Sequence, residues 1–155
     1  MKMEGCPGSM MLDRRDEETL QESPTAKIKS QLKQWPIQLH LISPMAPYYQ
    51  GADVLLTADC VGYALGGFHT DYLKGRSIAI ACPKLDENQE IYAAKIKSWF
   101  EDAKINTLTI MIMQVPCCMG LVHLVQDAVA DVKRKVPVKV IVVSLAGDIL
   151  SEEWL

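Results

Sequence analysis

From Gln34 onward the chain alternates short runs of Val, Ile, Leu and Met with turn-forming clusters and amphipathic stretches. Five runs predict strands: Ile37 to Ile42, Val54 to Ala58, Ser77 to Ala81, Leu108 to Met113 and Lys139 to Leu145. Most are apolar on consecutive residues, as strands buried on both faces must be. Between the third and fourth, Asn88 to Lys104 sets Ile91, Lys95, Ile96, Trp99 and Phe100 at helical spacing, with Ala93 and Ala94 as good helix formers. Between the fourth and fifth, Leu121, Val122, Val125, Ala128, Val129 and Val132 repeat that spacing, and Lys133, Arg134 and Lys135 supply cations suited to a helix C-terminus. Gly62, Gly66 and Gly67 break the helical character of Val61 to Gly75, and Ser43 to Gly51 has room for a single turn.

Strands alternating with helices predict an α/β fold: a three-layer Rossmann-like or flavodoxin-like domain around a mostly parallel sheet of four or five strands. The short connection after the first run leaves an antiparallel first strand open. Residues 1 to about 30 are different, with Asp13-Arg14-Arg15-Asp16-Glu17-Glu18 and no sustained period, so 1–30 is expected to be a flexible tail or linker and 31–155 a single α/β domain.

The length of 155 residues suits one domain, and 49% hydrophobic residues are enough for a core that needs neither disulfides nor a structural metal. A net charge of −3 offers no basic excess for phosphate, which argues against nucleic acid as a partner. No run approaches the length of a membrane span, because Gln114, Pro116 and His123 interrupt the greasiest stretch, and the N-terminus lacks a signal-peptide pattern. A cytoplasmic protein without a membrane partner is expected. Five cysteines in such a chain argue against a disulfide framework and leave metal ligation, reactive thiols or burial.

The positions of the cysteines carry the chemistry. Cys60 follows the second predicted strand, Cys82 the third, and Cys117 with Cys118 the fourth. In an open parallel sheet, ligands bind beyond the carboxyl ends of the strands. Neighbouring strands lie about 4.8 Å apart, so these thiols should reach a shared metal or cluster. Cys117 and Cys118 also precede a predicted helix, whose N-terminus favours a thiolate. No C-x-x-C pair occurs, so zinc-ribbon, thioredoxin-type and sequential ferredoxin motifs are excluded and any site must be assembled by the fold. The plain alternative is that each cysteine is a small buried hydrophobe.

Other residues bear on the same rim. His69 and Asp59 are candidates for an outer shell around the site, while Asp59 and Asp86, each just past a strand, suit an acid, a base or, more simply, a cap. His40, inside a predicted strand, and His123, on a helix, are read as structural. The Gly62-x-x-x-Gly66-Gly67 stretch lacks the spacing of a dinucleotide or phosphate loop.

Several of these stretches resemble a known family. Gln34-Trp35-Pro36-Ile37-Gln38-Leu39-His40, Ala58-Asp59-Cys60, Phe68-His69 through Leu73-Lys74-Gly75-Arg76, Cys82-Pro83-Lys84-Leu85-Asp86 and Val115-Pro116-Cys117-Cys118-x-Gly120-Leu121 are similar to the C-terminal domain of ferredoxin-like iron–sulfur cluster-binding proteins of anaerobic bacteria and archaea. The resemblance covers residues 34 to about 150. In that family a two-cluster ferredoxin module precedes the domain through a Gly-Cys-Pro-Gly segment, which Gly5-Cys6-Pro7-Gly8 resembles, but the ferredoxin cysteine runs themselves are absent from this chain. The resemblance implies a shared site at Cys60, Cys82, Cys117 and Cys118.

The expected function is therefore iron–sulfur or other thiophilic metal binding for electron transfer or metal handling, opposite a ferredoxin-type or other redox protein. A [4Fe–4S] cluster is the first choice of cofactor, with zinc or none as alternatives and Cys6 as a spare fourth ligand. A redox or metal-binding protein is expected before a conventional enzyme. Two further readings stand beside it: a metal-free thiol redox enzyme, with Cys117 or Cys118 as nucleophile and Cys60 or Cys82 as resolving thiol, and a partner-docking module with structural cysteines.

Overall fold

The computed structural model describes Asp13 and residues 27–155. The central strands form where the sequence is uniformly apolar: β1 (Asp53–Ala58), β2 (Ser77–Ala81), β3 (Thr107–Met113) and β4 (Val138–Val143). A fifth strand, β5 (Ile149–Trp154), completes one sheet in the order β2-β1-β3-β4-β5. All pairings are parallel except β4 with β5. This is the flavodoxin-like order with its last strand reversed, and the order switches direction between β1 and β3.

After β1 the chain makes the short helix α1 (Val61–Ala64) and a π-helical turn, Phe68–Leu73, before β2. Helix α2 (Gln89–Glu101) links β2 to β3, and α3 (Met119–Val129) links β3 to β4 after a 3-10 turn at Pro116–Cys118. Right-handed crossovers that leave β1 in opposite directions must cover opposite faces, with α1 and the π turn on one and α2 with α3 on the other. The core between the layers is dry: Leu55, Leu56, Ile96, Trp99, Leu108 and Ile110 are all fully buried.

Three sequence expectations are corrected, and one strand is added. Ile37 to Ile42 is not a strand. It makes one parallel bridge, Gln38 to Ile80, and then curls back, with the Leu41 and Ile42 amides donating to the Gln38 carbonyl. The curl is fixed from outside by Lys95, whose ammonium donates to the carbonyls of Leu39, His40 and Ile42 at 2.8 Å each. His40 therefore lies on a turn, where Nε2 meets the Glu87 carbonyl at 2.7 Å. The last strand, β5, pairs with β4 through mostly exposed residues, without the apolar run that marks the inner strands. Finally, α3 ends at Val129, so Lys133 to Lys135 lie beyond its last turn, and Arg134 instead donates to the Ile105 carbonyl at 2.8 Å.

The β4–β5 turn depends on Gly147. Its φ of +88° is the left-handed conformation that glycine tolerates, and a Cβ there would strike the Ala64 carbonyl oxygen of α1. The predicted tail lies mostly outside the described residues, as does Cys6. Its described end, 27–30, is exposed and forms neither helix nor strand. No helix among the described residues is long and apolar enough to cross a membrane.

Candidate functional site

At the carboxyl ends of β1, β2 and β3 the chain turns outward and leaves a cavity of about 370 Å³. Cys60, Cys82, Cys117 and Cys118 all line it, together with Asp59 and the apolar side chains of Leu85, Met113 and Val115. It opens beside the switch in strand order, where open α/β sheets bind ligands. All four described cysteines are free thiols, graded from exposed Cys60 through half-buried Cys82 and Cys117 to buried Cys118.

Each loop is held by identifiable contacts. The Cys82 loop closes on Asp86, whose amide donates to the Cys82 carbonyl at 2.9 Å while its Oδ2 accepts from the Cys82 amide at 2.8 Å. The same Oδ2 accepts from the Tyr92 hydroxyl at 2.5 Å and from Gln38 Nε2 at 3.2 Å. Asp86 thus ties the cysteine loop to α2 and to the Gln38 bridge. It does not cap α2, and it does not line the cysteine cavity. Gly120, in the first turn of α3, lets the Cys117–Cys118 loop approach the Cys82 loop, since a Cβ there would lie 3.1 Å from Pro83 Cβ. Cys118 is itself the residue before α3, and its amide donates to the Val115 carbonyl.

Electrostatics keep two of these sulfurs protonated. Burial pushes the Cys118 thiol up to about 11, although a backbone hydrogen bond from Met113 pulls the other way. The expected thiolate at the helix N-terminus is thereby overturned for Cys118, because desolvation outweighs a dipole that acts only over the first turn. Cys60 is also raised, by burial first and then by Asp59, Cys82 and Cys117. Asp59 is raised by burial and by Asp86. Such thiols are weak nucleophiles as they stand, and a soft cation would supply the charge that favours their thiolates.

Among the described residues, no three His, Cys, Asp or Glu side chains converge closely enough to grip one metal ion. Asp59 does border the cysteine cavity, but His69 does not. Its Nδ1 accepts from the Gln31 amide at 3.0 Å, and its ring lines a separate cavity on the other side of Asp59. That second cavity, and the anchoring role of Asp86, escaped the sequence pattern because both depend on contacts between segments remote in the chain.

Comparisons with known proteins agree with this architecture. An uncharacterized protein of Archaeoglobus fulgidus is 27% identical over 118 residues, spanning 76% of this chain and 81% of that protein. No solved structure matches the chain. The family model for a Rossmann-like domain matches residues 46–155, which takes in all five strands and all four rim cysteines. The chain therefore belongs to the Rossmann-like domain family.

Proposed function

We propose that the rim cavity binds an iron–sulfur cluster through its cysteines and serves electron transfer or metal handling with a redox protein as partner. One observation carries this reading: Cys60, Cys82, Cys117 and Cys118, delivered by three different strand ends, line one cavity. The donor set is soft and all sulfur, the kind that holds most iron–sulfur clusters. The ligands expected of this set are Cys60, Cys82 and Cys117, to each of which a [4Fe–4S] cluster would give its own iron, leaving the fourth iron to a ligand from outside this trio. The apolar wall of Leu85, Met113 and Val115 would shield the group from water. The resemblance of these motifs to ferredoxin-like iron–sulfur proteins supports the same group and a [4Fe–4S] type.

Full-length protein reconstituted anaerobically with iron and sulfide should absorb broadly in the visible, and the colour should be lost in Cys60→Ser and Cys82→Ser, each the only cysteine at its strand end. Of the adjacent pair, Cys117 is the expected ligand, being half-buried at the cavity, while Cys118 is only 7% exposed and belongs to the core. A protein that stays colourless while Cys117 alkylates rapidly near neutral pH would transfer the site to thiol chemistry.

A further inference from the structure

The cavity that holds His69 has a chemistry of its own. It encloses about 300 Å³ on the α1 side of the sheet, at the lower end of the size range of small-molecule sites. Its floor is β1 and β2, which turn Thr57, Ile78 and Ile80 to one face, and its roof is Phe68, Leu73 and Leu32.

Within this apolar box the polar groups are few and underused. Thr57 is 1% exposed, lines the cavity, and its hydroxyl has no hydrogen-bond partner among the described residues. The fully desolvated side-chain atom without a partner among the described residues is Trp99 Nε1 and not the Thr57 hydroxyl, which therefore keeps some contact with the space around it. His69 accepts from the Gln31 amide at Nδ1, which places its proton on Nε2, and that N–H likewise has no partner among the described residues. Asp59 brings a carboxyl to the same space. The cavity thus offers one donor, one acceptor and one hydroxyl that can do either.

We propose that this cavity is a binding site for a small uncharged molecule with an apolar body and one hydroxyl or primary amide group, held by Thr57, Asp59 and His69. A group that both donates and accepts satisfies all three side chains, while a carboxylate would meet Asp59. The assignment is independent of what the cysteines hold, although Asp59 forms a wall common to both cavities.

Benzyl alcohol and benzamide are suitable probes, with benzoate and toluene as controls. Ligand-observed saturation-transfer titrations of the full chain should show saturable millimolar binding of the first two, and binding at least several-fold weaker for the controls. Thr57→Val keeps the shape and removes the hydroxyl, and should weaken binding about five-fold, the worth of one hydrogen bond. Gly62 also lines the cavity, and a Cβ there meets only the Phe68 ring at 3.8 Å. Gly62→Leu should therefore fill the space and abolish binding with no loss in thermal midpoint. Cys60→Ser should bind the probes as the parent does, even if it loses a cluster. The proposal is overturned if neither probe binds, if benzoate or toluene binds as well as they do, or if both Thr57→Val and Gly62→Leu leave the affinity unchanged.

Discussion

Replacing Asp86 by alanine removes one oxygen that three donors share: the Cys82 amide at 2.8 Å, the Tyr92 hydroxyl at 2.5 Å and Gln38 Nε2 at 3.2 Å. Each of the two short bonds to a carboxylate contributes roughly 1.5–3 kcal/mol. The third is long, and Gln38 Nε2 keeps a second acceptor in the Tyr92 hydroxyl at 3.0 Å, so it adds little. Tyr92 is fully buried, so the part its hydroxyl contributes is lost almost whole, whereas water can reach the half-buried Cys82 loop and offset the rest. The expected cost is about 3 kcal/mol, a large share of a domain stability of roughly 5–15 kcal/mol. Asp86→Asn keeps the shape and one acceptor and should cost about half as much. Urea unfolding measures both, with an unchanged slope showing that the loss is in stability alone. An alanine variant within about 1 kcal/mol of the parent would mean that water substitutes fully and that Asp86 does not hold the loop.

Three other perturbations probe the same framework. Gly120→Ala would press a methyl against Pro83, starting from 3.1 Å, and should cost about 1 kcal/mol after the gain in helix propensity, while lowering the iron retained on reconstitution more than it lowers stability. Lys95→Met strips three carbonyls of their common donor and should destabilise by about 2 kcal/mol, with hydrogen exchange at residues 39–42 rising more than in β3. Burial raises the hydroxyls of Tyr49 and Tyr92 and lifts the Cys118 thiol from 9.0 to about 11, so all three lose their protons more readily when unfolded. Their contribution is complete below the unfolded values and is lost as pH rises through the folded ones. The thermal midpoint of metal-free protein should accordingly fall above about pH 9, and Cys118→Ala should remove the earliest part of that fall.

Much of the architecture could be read from the sequence because burial dictates composition. The inner strands β1, β3 and β4 sit between two helical layers, so their apolar residues run consecutively, and α2 and α3 display the helical period of their buried faces. The strand-then-cysteine pattern was legible for the same reason, since a residue just past a central parallel strand has one rim to occupy. Elsewhere composition misleads. Leu39 and Ile42 are buried, yet their segment meets the sheet at a single bridge, because apolar side chains record burial and say nothing of backbone pairing. β5 shows the converse: its Ser-Glu-Glu centre pairs fully with β4 while exposed, with Glu152 set 3.0 Å from Lys139. His69 could be placed after the right strand but not in the right cavity, since its neighbour Gln31 lies 38 residues away. The rim thiols were placed together by topology, but the protonation of Cys118 depends on how deeply the fold buries it.

The central claim is that the rim cysteines act as one site, and it is tested most directly by iron and acid-labile sulfide per chain after anaerobic reconstitution, measured side by side in the parent and the Cys60→Ser, Cys82→Ser, Cys117→Ser and Cys118→Ser variants. The account predicts the stoichiometry of a single [4Fe–4S] cluster in the parent and in Cys118→Ser, and background values in the other three. Background values in the parent, or iron and sulfide retained in Cys60→Ser and Cys82→Ser together, would contradict it.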